Sequence, residues 1–218
     1  MIKRQKLLLT VYLILSFGCY IQAQTVAVLQ YEGGGDWYGN PTSVPNLISF
    51  CNENIGTSIS AKTETVKADD IGIMQFPFIH MTGHGNVYFS EAAVANLKNY
   101  LLAGGFLHID DNYGMDQYIR GELKKLFPDK ELQEIPADHP IFSNAFVLDN
   151  GLPKIHEHDG ERPLALGLFD KERLMLLFTT ESDLGDGWED QEVHNDPQEI
   201  RLKALQMGAN ILKYAFEN

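Results

Sequence analysis

Cysteine is scarce in this sequence, positive charge is outweighed, and internal repeats are missing; each shortage excludes something. Two cysteines among 218 residues, Cys19 and Cys51, are too few for a disulfide framework or a thiolate zinc site. Lys and Arg total 17 against 30 Asp and Glu, a net charge of -13, which argues against a nucleic-acid partner held by phosphate contacts and against attraction to anionic lipid. Neither a His-Glu-x-x-His signature nor a Cys-x-x-Cys pair occurs. With no low-complexity tract or linker, one domain is the economical reading. The remaining composition, 44% hydrophobic and 22% charged, is that of a globular chain with one well-buried core, which leaves no room for disorder, collagen or coiled coil.

Lys3, Arg4 and Lys6 precede an apolar run from Leu7 to Cys19, and the small residue Ala23 follows. That three-part layout predicts a secretory signal over residues 1–23, with the run too short for an ordinary membrane span. The expected protein is periplasmic or secreted, touching a membrane only through this segment. Gly18-Cys19 opens the alternative of a lipid on Cys19 and an envelope-anchored form. Residues 24–218 form the expected single domain, in which Cys51, set in Leu47-Ile48-Ser49-Phe50, reads as a small core residue.

From Thr25 onward, short apolar runs alternate with helical spacing. Strands are predicted over 25–31, 57–66, 77–82, 106–109, 164–168 and 173–180, and helices over 44–54, 90–103 and 115–127. Ser90 and Gly104 punctuate the second helix as N-cap and C-cap. Asp196-Pro197-Gln198-Glu199 predicts a capping box ahead of a final helix with Ile200, Ala204, Met207 and Ile211 on its buried side. Strands joined by helices favour a parallel sheet covered on both faces, whose ligand crevice lies beyond the strand carboxyl ends.

Three strand ends carry polar or glycine-rich residues: Glu32-Gly33-Gly34-Gly35-Asp36, Gly83-His84-Gly85 and Asp110-Asp111-Asn112. They are expected to open onto one crevice, with glycines allowing close approach of backbone N–H groups to a ligand. Asp110 ends an apolar strand ahead of a helix, the layout of a nucleophile elbow, and is assigned as base or nucleophile. His84 is the expected proton carrier, with Glu32 and Asp111 as supporting carboxylates; Asp111 has the alternative role of capping the next helix. Gly33, Gly34, Asp36, Trp37, Gly83, Gly85, Asn112 and His139 complete the expected ligand-binding set. Trp37, Tyr38, Tyr113 and Trp188 are aromatic faces for a ligand. His156-Glu157-His158-Asp159 gathers ligand types that suit zinc, iron or manganese, but no spacing identifies a metal or cofactor, and His80 and His108 read as core residues.

The run Tyr31 to Tyr38, Thr82-Gly83-His84-Gly85, Gly104 to Asn112 and Asp138-His139-Pro140-Ile141-Phe142 together resemble the domain of unknown function 4159 family. More distantly they are similar to the trehalose-utilisation (ThuA-like) and class I glutamine amidotransferase-like proteins. The resemblance spans nearly the whole mature chain and implies a flavodoxin-like three-layer α/β sandwich with a mostly parallel sheet. It also implies that Asp110 stands where an amidotransferase carries its catalytic Cys, which removes glutaminase chemistry. A hydrolase-like protein acting on a small polar or carbohydrate-like ligand is the leading expectation. The other is a non-catalytic ligand-binding or assembly module of the cell envelope.

Overall fold

The computed structural model describes residues 24–218; the segment expected to be a secretory signal and Cys19 lie outside the described residues. Strands β1 (Val26–Gln30), β2 (Glu64–Lys67), β3 (Phe78–His84), β4 (Phe106–Tyr113), β5 (Gln133–Glu134), β6 (Leu164–Asp170) and β7 (Arg173–Thr180) form one sheet in the order β2-β1-β3-β4-β7-β6-β5. The first five in that order run parallel; β6 adds antiparallel to β7, and β5 antiparallel to β6. Helices are α1 (Ser43–Asn54), α2 (Glu91–Leu102), α3 (Asp116–Leu126), α4 (Leu184–Trp188), α5 (Gln191–His194) and α6 (Gln198–Glu217).

Alternation along the strands divides the interior into two apolar cores. Ala27, Ile79, Met81, Leu107 and Ile109 pack towards Leu97, Leu101, Ile119 and Leu123 of α2 and α3. Val26, Phe78, Phe106 and Leu177 pack towards Leu47 and Ile48 of α1, Trp188 of α4 and Met207 and Ile211 of α6. The central strands β1, β3, β4 and β7 thus bury both faces, which is why they read as nearly continuous apolar runs. Cys51 is fully buried in the second core, and burial pushes its thiol up to about 12, so it behaves as a packing residue.

Several expectations need correction. The strand expected over 57–66 is regular only at Glu64–Lys67, with an isolated bridge from Ile59 to Gln24. β4 does not stop at Ile109: pairing with β3 carries it through Asp110, Asp111 and Asn112 to Tyr113. Asp110 therefore lies within a strand and not on an elbow. The capping box ahead of α6 is not made, since Pro197 occupies the N-cap without a side-chain bond and the Asp196 carboxylate faces His156 instead. The sequence pattern missed α4 and α5, which are only five and four residues long, α4 carrying two glycines and an aspartate.

Candidate functional site

On the face of the sheet that carries α4, residues two apart on β3 and β4 form successive rungs. Phe78 stacks on Phe106 with ring centroids 6.1 Å apart. His80 pairs with His108, Nδ1 to Nδ1 at 3.1 Å, and both imidazoles lie against the Trp188 ring. Thr82 pairs with Asp110, and Asp110 with Thr179 of β7. Polarity rises rung by rung towards the strand carboxyl ends, so the sequence itself grades the core into a crevice.

Asp110 is fully buried. Its Oδ1 accepts from Thr179 Oγ1 at 2.5 Å and its Oδ2 from the Gly185 amide at 2.6 Å. Burial pushes its carboxyl up to about 7; the bonds from Thr179 and Gly185 oppose the shift, and the charges of Asp183 and Asp186 add to it. His108 Nε2 lies 3.0 Å from Thr179 Oγ1. Ring protons assigned from this network make one directed chain: His80 donates to His108, His108 to Thr179 and Thr179 to Asp110, while His80 Nε2 stays buried without a partner. Burial holds both imidazoles neutral, His80 down at about 3 and His108 well below its usual value.

The outer wall is a cluster centred on Asp186. Its Oδ1 accepts from Asn40 Nδ2 at 2.6 Å and Asn112 Nδ2 at 3.1 Å; Asn112 is itself held by Thr82 Oγ1 at 2.8 Å. Its Oδ2 lies 3.1 Å from His156 Nδ1 and 3.7 Å from His194 Nε2. His156 Nδ1 also stands 3.3 Å from Asp183 Oδ2, and its Nε2 stands 3.0 Å from Asp196 Oδ1. Hydrogen bonds to Asp183 and Asp186 push the His156 imidazole up to about 10, with Asp196 adding to the shift and burial opposing it. Burial would raise the Asp186 carboxyl, but the bond from His156, the charge of His194 and the bond from Asn40 outweigh it and hold it below the usual carboxylate range. Glu189 Oε2 lies 3.1 Å from His194 Nε2, and His158 Nε2 lies 2.5 Å from Asp183 Oδ2.

The residues singled out in the sequence fall into separate groups. Asp110 and Asn112 are buried against α4, through Gly185 N and Asp186 Oδ1 respectively. Asp111 is a cap: its carboxylate accepts from the amides of Tyr113, Met115 and Asp116 at 2.9, 2.8 and 2.9 Å, fixing the start of α3. His84 is exposed and faces Asp36, whose carboxylate takes both the His84 amide and, at 3.0 Å, its Nδ1. The first two loops do pack together, through Tyr88 N to Glu32 O at 2.7 Å and Gly35 N to Asn86 O at 3.0 Å, but the Glu32 side chain remains exposed. Gly33 is required by that packing, since a Cβ there would meet the Tyr88 nitrogen at 2.7 Å. Gly34 and Gly85 have open space around them, and Gly83 lies against Tyr31 and Asp36.

Trp37 packs on the first core, Trp188 is wholly buried, and His139 accepts from the Ile141 amide at 3.2 Å to cap a short turn of helix. Tyr113 alone of the aromatic positions borders an open cleft of about 640 Å³, shared with Asp111, Arg120, Asp159, Arg162 and Glu181. Its ring stacks on His158 with centroids 4.8 Å apart, which joins the cleft to the Asp183 side of the cluster. Sequence reasoning missed Asn40, Thr82, Thr179, Asp183, Asp186 and His194 as a group. They sit on five separate segments, and only the Gly and Asp content of residues 183–187 marked that stretch as unusual.

A family model described as a domain of unknown function (DUF4159) matches residues 25–216. No curated protein matches the chain.

Proposed function

We propose, for a chain that belongs to the DUF4159 family, an exported single-domain protein with a flavodoxin-like, amidotransferase-like frame. On this reading it lacks the elbow cysteine and does hydrolase-like chemistry on a small polar or carbohydrate-like ligand. The observation that carries the reading is the convergence on Asp186, where two imidazoles and two amides meet one carboxylate beyond the strand carboxyl ends. Water activation belongs to the Asp186 centre, with His194 beside that carboxylate and His156 as its charged partner, not to Asp110, whose two oxygens are already engaged. Asp110 acts as a positioning residue: through Gly185 it holds the start of α4 and so the loop that presents Asp183 and Asp186. The ligand lies in the cleft beside Tyr113, which offers a half-exposed ring for stacking on a polar molecule.

The sealed environment of Asp110 favours a second reading, a binding module without turnover. Assay of the purified protein against p-nitrophenyl esters and glycosides separates the two. The hydrolase reading expects turnover of one class, lost in Asp186→Asn with an unchanged circular dichroism spectrum. Turnover indifferent to Asp186→Asn contradicts this placement of the chemistry, and no turnover of either class moves the assignment to the binding module.

A further inference from the structure

Carboxylates crowd one side of the crevice without a permanent cation to face them. Among the described residues, no Lys or Arg nitrogen comes within 4.0 Å of the side-chain oxygens of Asp183, Asp186, Glu189 or Asp196; their ionic partners are His156, His158 and His194. Asp183 is wholly buried, and its Oδ1 has no hydrogen-bond partner, although its Oδ2 lies against His156 and His158. An unpartnered oxygen on a buried carboxylate is costly unless a positive group compensates it. The available imidazoles carry at most one proton charge each, and His156 is shared among three carboxylates.

We propose that His156, Asp186 and His194 bind one first-row divalent metal ion, zinc being the test case, with the carboxylates of Asp183 and Glu189 beside the two imidazoles as further oxygen donors. One ligand atom from each of the three lies within 4.8 Å of the others. With metal bonds of about 2.0–2.1 Å, tetrahedral donors stand about 3.3 Å apart. The spacings of 3.1 Å from Asp186 Oδ2 to His156 Nδ1 and 3.7 Å to His194 Nε2 bracket that value, and the two imidazoles offer ligand atoms no more than 4.8 Å apart. Two imidazoles with a carboxylate select a borderline ion over calcium or magnesium, which prefer all-oxygen ligands.

The surroundings fit the same role. The distal Nε2 of His156 faces Asp196 Oδ1 at 3.0 Å, the carboxylate–histidine arrangement that orients a ligating imidazole. Asn40 and Asn112 hold Oδ1 of Asp186 and leave its Oδ2 directed at the two imidazoles. A metal here would supply a Lewis acid and lower the pKa of a bound water. The inference deepens the proposed hydrolase reading and rests on it for the chemistry, though not for the site itself.

The test uses the purified protein, stripped with a chelator and titrated with zinc by calorimetry and with cobalt by visible absorption. Expected are one zinc per chain and cobalt d–d bands that zinc displaces. His156→Gln and His194→Gln should each abolish stoichiometric binding, and Asp196→Asn should weaken it about 10- to 100-fold. His84→Gln should leave it intact, since that imidazole faces Asp36 instead. Circular dichroism checks the fold of each variant; if one fails to fold, the wild-type stoichiometry and the remaining variants still decide. Less than a tenth of an equivalent of zinc, or binding unchanged in both histidine variants, overturns the proposal. Zinc bound without turnover keeps the site and removes the hydrolase reading, whereas turnover in metal-stripped protein keeps the hydrolase reading and contradicts a role for the metal in it.

Discussion

Asp110 meets α4 through the Gly185 amide and Asp186 lies on that helix, yet their surroundings shift their carboxyls in opposite directions. Asp110 is buried with two donors and no cation, and its carboxyl is raised to about 7. The folded state therefore binds a proton more tightly than the unfolded chain does. Its stabilising contribution is complete below the unfolded value of about 3.9 and is lost as pH rises through about 7, on the order of a few kcal/mol. Asp110→Asn should flatten the pH dependence of the melting temperature between about pH 4 and 7 and leave stability at pH 8 equal or higher. The neutral amide can donate to Thr179 Oγ1 while that hydroxyl turns to Ile109 O, 3.3 Å away. A steeper pH dependence, or collapse of the fold at pH 8, would contradict this account. Cys51→Ser should keep the fold with a loss of about a kilocalorie per mole or little more in urea unfolding, because the thiol packs and does no chemistry. The core role of Cys51 was legible in its apolar neighbours. The engagement of Asp110 was not, because its partners Thr179 and Gly185 are 69 and 75 residues away in sequence.

At the scale of elements, strand and helix order was legible where periodicity was sustained, as in α2, whose expected Ser90 cap accepts from the Ala93 amide at 3.2 Å. It failed where tertiary contacts override local preference. Asp and Asn disfavour strands on their own, yet three of them extend β4 because β3 pairs beside them and each finds side-chain partners. Asp111→Ala strands three amides at the start of α3, and chemical denaturation should show a loss of about 2 kcal/mol or more. A loss below about half a kcal/mol would mean that water replaces the cap. α4 depends on close approach: a Cβ on Gly185 would meet Asn40 Nδ2 at 2.7 Å and Asp110 Oδ2 at 3.2 Å. Gly185→Ala should therefore displace Asn40 from Asp186 and weaken any ligand held there, read as reduced zinc affinity with the melting temperature less affected.

For the whole molecule, alternating β and α patterns predicted a mostly parallel sheet covered on both faces, and the sheet has that form apart from the antiparallel pairings of β6 with β7 and of β5 with β6. The sequence led to the expectation of a crevice at the carboxyl ends of the strands, because polar residues collect where β3 and β4 finish, and the proposed centre lies at that same end. It did not reveal that the loop after β7 folds back over that end, since nothing local in Glu181 to Asp186 states which strands it covers. Export belongs to this scale as well. Intact-mass measurement should give a chain beginning at Gln24, and retention of residues 1–23 or a lipid on Cys19 would contradict a soluble exported form. The central claim is that the imidazole–carboxylate cluster on Asp186, rather than the exposed His84 or the sealed Asp110, is the working centre. Imidazole nitrogen NMR of the seven histidines during zinc addition tests it most directly. The account predicts that the His156 and His194 ring signals shift together and saturate at one equivalent, while His80, His108 and His84 stay in place. A response confined to His84, or spread evenly over the exposed imidazoles, would contradict it.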